Sequence, residues 1–163
     1  MGTGETAVVT GASAGIGAAI ARALLDQGHD VVTLQRRAPP FKHPRLSFRA
    51  VDLADRAAAR EVGADVARDY PVRYLVNNAG VNRPGRIEQV GDEDLDQVFA
   101  VNLASAIVLA QAFLPGMRAA RYGRILNISS RAMLGKVGRV AYATTKAGLV
   151  GLTHSLAVES GAD

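Results

Sequence analysis

The sequence has no cysteine, no tryptophan and only three histidines, and aromatic side chains make up 5% of its 163 residues. Without cysteine there can be no disulfide and no thiolate metal site, which suits a reducing cytoplasm, the expected location. No other metal-ligand set is read. His29 and His43 fall in connections and His154 on a helix, so all three are expected at the surface or in packing. So few aromatics leave no stacking platform that singles out a ligand. Long apolar runs are also missing. The first, Ala7-Val8-Val9, is too short for a signal peptide, and no stretch approaches the roughly 20 apolar residues of a membrane span. Acidic residues are in slight deficit, 15 against 19 lysines and arginines, for a net charge of +4. The basic residues are scattered rather than gathered in a stripe, so nucleic acid is not the expected partner. Arginine-rich and alanine-rich composition points to a GC-rich bacterial genome.

What remains, 48% hydrophobic and 21% charged, is enough to bury a core and stay soluble. Short apolar runs alternate with helical patterns. Strands are expected over 6–10, 30–34, 46–51, 73–76 and 123–128. Helices are expected over 15–27, with Ile16, Ile20, Ala23 and Leu24 on one face, and over 56–69, 95–120 and 142–159. Pro115 and Gly116 should bend or break the long third helix. Such alternation predicts an α/β fold, a doubly wound parallel sheet of Rossmann type in the order 3-2-1-4-5. No linker is visible. Residues 81–91 and 131–139 are the longest irregular segments. Both leave the carboxyl ends of strands, where ligands bind in such sheets.

Gly11, Gly15 and Gly17 lie between the first strand and the first helix. There Gly11 permits a tight turn, Gly15 lets backbone approach a pyrophosphate, and Gly17 allows close helix packing. Ser13, Ala14 and Ile16 fill the same loop. A structural glycine turn is the alternative. Tyr142 and Lys146 are four apart and share a helix face. A phenol has a pKa near about 10 and is a poor base at neutral pH; a neighbouring ammonium favours phenolate. The pair can therefore exchange a proton with a substrate. A half-buried aromatic and a solvated lysine are the alternative.

Taken in order, these motifs resemble the short-chain dehydrogenase/reductase family, in particular its 3-oxoacyl-acyl-carrier-protein reductase-like members. The loop Thr10-Gly11-Ala12-Ser13-Ala14-Gly15-Ile16-Gly17 matches the family fingerprint. Asn77-Asn78-Ala79-Gly80 follows the fourth strand, Val101-Asn102-Leu103 lies on the long helix, Ser129-Ser130 ends the fifth strand, and Tyr142 to Lys146 opens the last helix. The resemblance implies hydride transfer between a nicotinamide dinucleotide and a small carbonyl or alcohol. Tyr142 would be general acid/base, Lys146 would hold the nicotinamide ribose, Ser130 would bind the substrate oxygen, and Asn102 would anchor a relay water. Asp52 and Leu53 would contact adenine, and Asn78, Ala79 and Gly80 would line the cofactor. The spacing from Ser130 to Tyr142 is one shorter than usual. Counting back from the tyrosine would select Ser129; strand register favours Ser130.

The second strand ends in Gln35-Arg36, a neutral side chain where an acid would hold a ribose and a cation able to bond a 2′-phosphate. NADP(H) is therefore expected over NAD(H). Arg36 and Arg37 as plain surface charges are the alternative, and Ala14 stands where NADPH-users of the family often carry a second basic residue. Family chains run on into a sixth strand, a Pro-Gly segment, a substrate lid and a seventh strand. None is present before Asp163, so the expectation is one dinucleotide-binding domain over 1–163, C-terminally incomplete. A non-catalytic dinucleotide-binding or assembly module is the second functional expectation. The resemblance implies homo-oligomers packed through the two long helices, the first carrying Ala104, Ile107, Val108 and Gln111 and the second Leu149, Leu152 and Leu156; burial of these residues against the sheet is the alternative.

Overall fold

The apolar runs are short because each strand crosses the sheet once, and in the computed structural model, which describes residues 4–161, they form five parallel strands. These are β1 (Thr6–Thr10), β2 (Asp30–Gln35), β3 (Leu46–Ala50), β4 (Val72–Asn77) and β5 (Arg124–Asn127), in the order β3-β2-β1-β4-β5. The expected topology is the observed one, with strand ends differing by one or two residues. The final two residues of the sequence lie outside the described region. β1 is buried along its whole length, which is what a central strand covered on both faces requires.

Alternate side chains feed two cores. Val8, Val32, Leu34 and Leu75 pack with Leu109 and Phe113. These last two come from α4 (Ser105–Ala119), which lies beside α2 (Arg56–Asp69). Ala7, Val9, Val31 and Val76 pack on the other face with Ala21 and Leu25 of α1 (Gly15–Asp26). The inner face of α1 is Gly17, Ala18, Ala21 and Leu25, not the set expected from its larger apolar residues. Small side chains let the helix lie close to the sheet. Ile16, 64% exposed, points away from it, and Ile20 and Leu24 only flank the core. Asp55 caps α2, its carboxylate accepting from the N–H groups of Ala57 and Ala58.

The long third helix is not broken where expected. α4 runs through Pro115. Proline frees only the Gln111 carbonyl there, and both residues are exposed, so water can satisfy it. The irregularity lies earlier. α3 (Asp92–Phe99) joins α4 through a π-helical turn, Ala100–Ala104. The helical run of 28 residues from Asp92 to Ala119 contains an 18-residue stretch apolar enough, at a mean hydropathy of 1.9, to cross a membrane by length and composition, which a count of unbroken apolar runs did not flag. Half of that stretch is buried within the protein, as in a core helix. α5 (Val140–Ser160) completes the layer. The expected oligomer faces need correcting. Val108 and Leu149 are buried in the protomer, whereas Ile107 and Gln111 are exposed and Ala104, Leu152 and Leu156 half-buried.

Candidate active site

Three glycines shape the first βα turn, and their surroundings differ. Gly11 has φ +72°, and Gly15 has φ +56° with open space where a side chain would stand. A Cβ on Gly17 would come within 2.4 Å of the Gly11 carbonyl oxygen and of Asn78 Nδ2. α1 begins at Gly15 with no side-chain cap, so its first-turn N–H groups face the opening beside Ser13, Ala14 and Ile16. Asn78 locks this turn. Its Nδ2 donates to the carbonyls of Thr10 (2.9 Å) and Gly11 (3.2 Å). Thr10 Oγ1 in turn accepts from the N–H groups of Asn78 and Ala79. Thr10 was read only as the first residue of the fingerprint loop; its bracing of Asn78 and Ala79 was not foreseen.

Gln35 is buried at the end of β2. Its Oε1 accepts from the Ala12 N–H (3.2 Å), while its Nε2 has no partner. Arg36 is exposed, with a guanidinium nitrogen 3.9 Å from Asp52. Asp52 also accepts from the Ala54 N–H, and Leu53 is buried beneath it. Together these residues surround an adenosine-sized pocket of about 370 Å³, with Gly80 at its far side.

Ile16, Asn78, Gly80 and Val81 line that pocket and also a neighbouring cleft of about 510 Å³, so the two are continuous. The cleft holds Ser129, Ser130, Tyr142 and Lys146. Both serines follow β5 rather than ending it, so strand register does not distinguish them. Hydrogen bonding does. Ser129 Oγ donates to the Lys146 carbonyl (2.7 Å). Ser130 Oγ accepts from the Ala132 N–H, capping the 3-10 turn Arg131–Leu134, and its own O–H has no acceptor among the described residues. Lys146 is 3% exposed. Its Nζ donates to the Ile128 carbonyl (2.7 Å) and lies 5.7 Å from the centre of the Tyr142 ring. Burial pushes its pKa below the ordinary lysine range.

Asn102 sits in the π turn, buried, with its amide committed. Its Oδ1 accepts from the Val81 N–H (2.7 Å), and its Nδ2 donates to the Val81 carbonyl (2.9 Å) and to Thr145 Oγ1 (3.2 Å). A Cβ on Gly80 would lie 3.5 Å from both Asn102 Oδ1 and Lys146 Nζ, which places these two groups on one side of the cleft. The roles of Val81 and Thr145 were not foreseen, because they depend on contacts between distant segments. Lys136 and Arg139, which also line the cleft, were not foreseen either. A separate groove of about 470 Å³, between β5 and the ends of α4 and α5, contains none of the predicted site residues.

A family model described as short chain dehydrogenase matches residues 5–163. The 3-oxoacyl-(acyl-carrier-protein) reductase FabG of Rickettsia conorii is 36% identical over 96% of this chain and 67% of its own length. A crystal structure of a short-chain dehydrogenase from Streptomyces avermitilis superposes with a TM-score of 0.89 at 34% identity, covering 98% of this chain. An NADP-bound structure from Beutenbergia cavernae, described as an NAD(P)-dependent gluconate 5-dehydrogenase, gives 0.88 at 35% identity over 96% of this chain. The chain spans 61% and 66% of the lengths of those two solved chains. With that model matched over nearly the whole chain and the fold shared with these relatives, the chain belongs to the short-chain dehydrogenase family.

Proposed function

We propose that this protein interconverts a carbonyl and an alcohol with NADP(H). One observation carries the reading. Tyr142 and Lys146 stand together on α5 and share a cleft, continuous with the glycine-turn pocket, with Ser130, whose O–H has no acceptor among the described residues. The dinucleotide fits the groups that surround that pocket. The uncapped start of α1 and the open space at Gly15 suit a pyrophosphate. The buried, unpartnered Gln35 Nε2 is a donor waiting for an acceptor at the ribose end.

When bound, the dinucleotide supplies the hydride donor or acceptor. The chain's own residues handle the proton. As a carbonyl oxygen gains negative charge, Tyr142 gives it a proton and Ser130 donates a hydrogen bond to it. Lys146 favours the tyrosinate that remains, and its lowered pKa makes it a readier proton source than a free lysine. Asn102 is a positioning residue: its amide fixes Val81 and Thr145 and so the wall beside Lys146. The preference for a 2′-phosphate rests on Gln35, which is neutral, and on Arg36. The Arg36–Asp52 pair is exposed and long, an interaction worth about 0–1 kcal/mol, so a dianionic phosphate would displace it.

The test is Tyr142→Phe in the natural protein that carries this chain. Turnover of ketones should fall by about 10²–10⁴-fold while dinucleotide affinity stays within about twofold. A variant that keeps most of its turnover would overturn the assignment.

A further inference from the structure

The cleft around Tyr142 has an unbalanced charge. Lys136, Arg139 and Lys146 line it, and no aspartate or glutamate does. Lys146 is engaged with the Ile128 carbonyl. Neither the Arg139 guanidinium nor the Lys136 ammonium has a hydrogen bond or ion pair among the described residues. Arg139 is half-buried in the cleft wall, with its guanidinium donors free to meet an anion that enters the cleft.

The backbone holds these two cations in place. Residues 136–139 form a turn closed by the Arg139 N–H donating to the Lys136 carbonyl (3.2 Å). Gly138, at φ +68°, occupies the position that a type II turn reserves for glycine. Such a turn brings its first and last residues within about 7 Å, which sets Lys136 beside Arg139. The Gly85 N–H donates to the Gly138 carbonyl (3.1 Å), and Gly85 bridges to Arg139, so the 81–91 segment braces the turn. The Arg139 carbonyl accepts from the Ala143 N–H (2.7 Å), which joins the turn to the first turn of α5. Arg139 is the last residue before α5 and lines the same cleft as Tyr142, three residues on.

We infer that Arg139, assisted by Lys136, binds a carboxylate on the substrate, and that the substrate is a short oxo acid or the matching hydroxy acid. This rests on the carbonyl–alcohol reading given above. The cleft shared by the cations and Tyr142 decides the class. An anion held beside Tyr142 must lie within a few bonds of the carbonyl that Tyr142 protonates. A carboxylate one or two carbons from a ketone meets that condition. The phosphate of a long thioester carrier arm is many bonds too far away. In the reaction, the ketone carbon gains the hydride, its oxygen gains the Tyr142 proton, and the carboxylate is unchanged.

The experiment compares 3-oxobutanoate with its neutral methyl ester. Binding is measured by calorimetry on the natural protein saturated with oxidised dinucleotide, so that no reduction occurs. The acid should bind about ten- to a hundredfold more tightly than the ester, the range of a charge-assisted bond. Arg139→Gln should abolish that advantage without changing the affinity for dinucleotide, and Arg139→Lys should restore part of it. Equal binding of acid and ester, an advantage that survives in Arg139→Gln, or no binding of either compound would overturn the inference. Failure of the redox reading shows separately, as ketone turnover that persists in Tyr142→Phe.

Discussion

The two ends of the cleft are built differently. At the adenosine end, polar side chains close on the chain itself. Asn78 holds two carbonyls, Thr10 accepts from two N–H groups, and Gln35 braces Ala12. At the catalytic end part of the wall is the segment 131–139, with Leu134 and Val137 81% and 86% exposed and, among the described residues, two unpaired cations. Beyond it lies β5, which among the described residues pairs with β4 alone, with Leu126 52% exposed. The first region carries its binding geometry in the bare chain. The second has positioned donors but few contacts that fix its far wall. Cofactor recognition and substrate recognition should therefore respond separately to mutation.

Arg36→Ala should sharpen the contrast most. NADPH affinity should fall by roughly ten- to a hundredfold, NADH affinity should barely change, and turnover at saturating cofactor should be kept. Fluorescence titration of both dinucleotides measures this. Equal affinities in the unmodified protein would remove the adenosine end's claim to select a phosphate.

Asn78→Ala comes next. It removes both donors that tie the glycine turn down, and should cost about 1–3 kcal/mol of stability. Ser130→Ala loses only the cap of a short turn, about 0.5 kcal/mol. Denaturant midpoints rank the two. The reverse order would mean that the catalytic loop, not the glycine turn, is the more tightly integrated.

The smallest effect concerns Lys146. Its folded-state pKa lies below the ordinary value of 10.5, so between those two values the unfolded chain holds more protons than the native one. Stability relative to Lys146→Met should then be flat at lower pH, where both states carry the charge. It should rise as pH climbs through the folded pKa toward 10.5. Melting temperatures of both proteins from pH 7 to 10 would show it; a difference that stays constant would mean that burial does not perturb this lysine.

The sheet was legible because each strand is a short apolar run and the first two helices start on local signals, the glycine turn and Asp55. The inner face of α1 was not, since close packing against a sheet selects alanine and glycine over the larger Ile16. The π turn at Asn102 carries no pattern of its own; Pro115 drew attention instead, though an exposed proline can ride on a helix surface. At the site, residues contiguous with a motif were readable. Val81, Thr145, Lys136 and Arg139 were not, because their importance comes from pairings such as Gly85 with Arg139 that span the chain.

The Asn102 amide meets both the N–H and the C=O of Val81, as a neighbouring peptide group would. It is in effect a piece of main chain supplied sideways by a helix. Aspartate would lack the donor, leucine would lack both partners, and glutamine would overshoot by one carbon. Selection on folding alone would thus admit almost nothing but asparagine here. Invariance at this position among relatives would accordingly be no measure of chemical duty, since the demand for a substitute peptide group is enough to produce it.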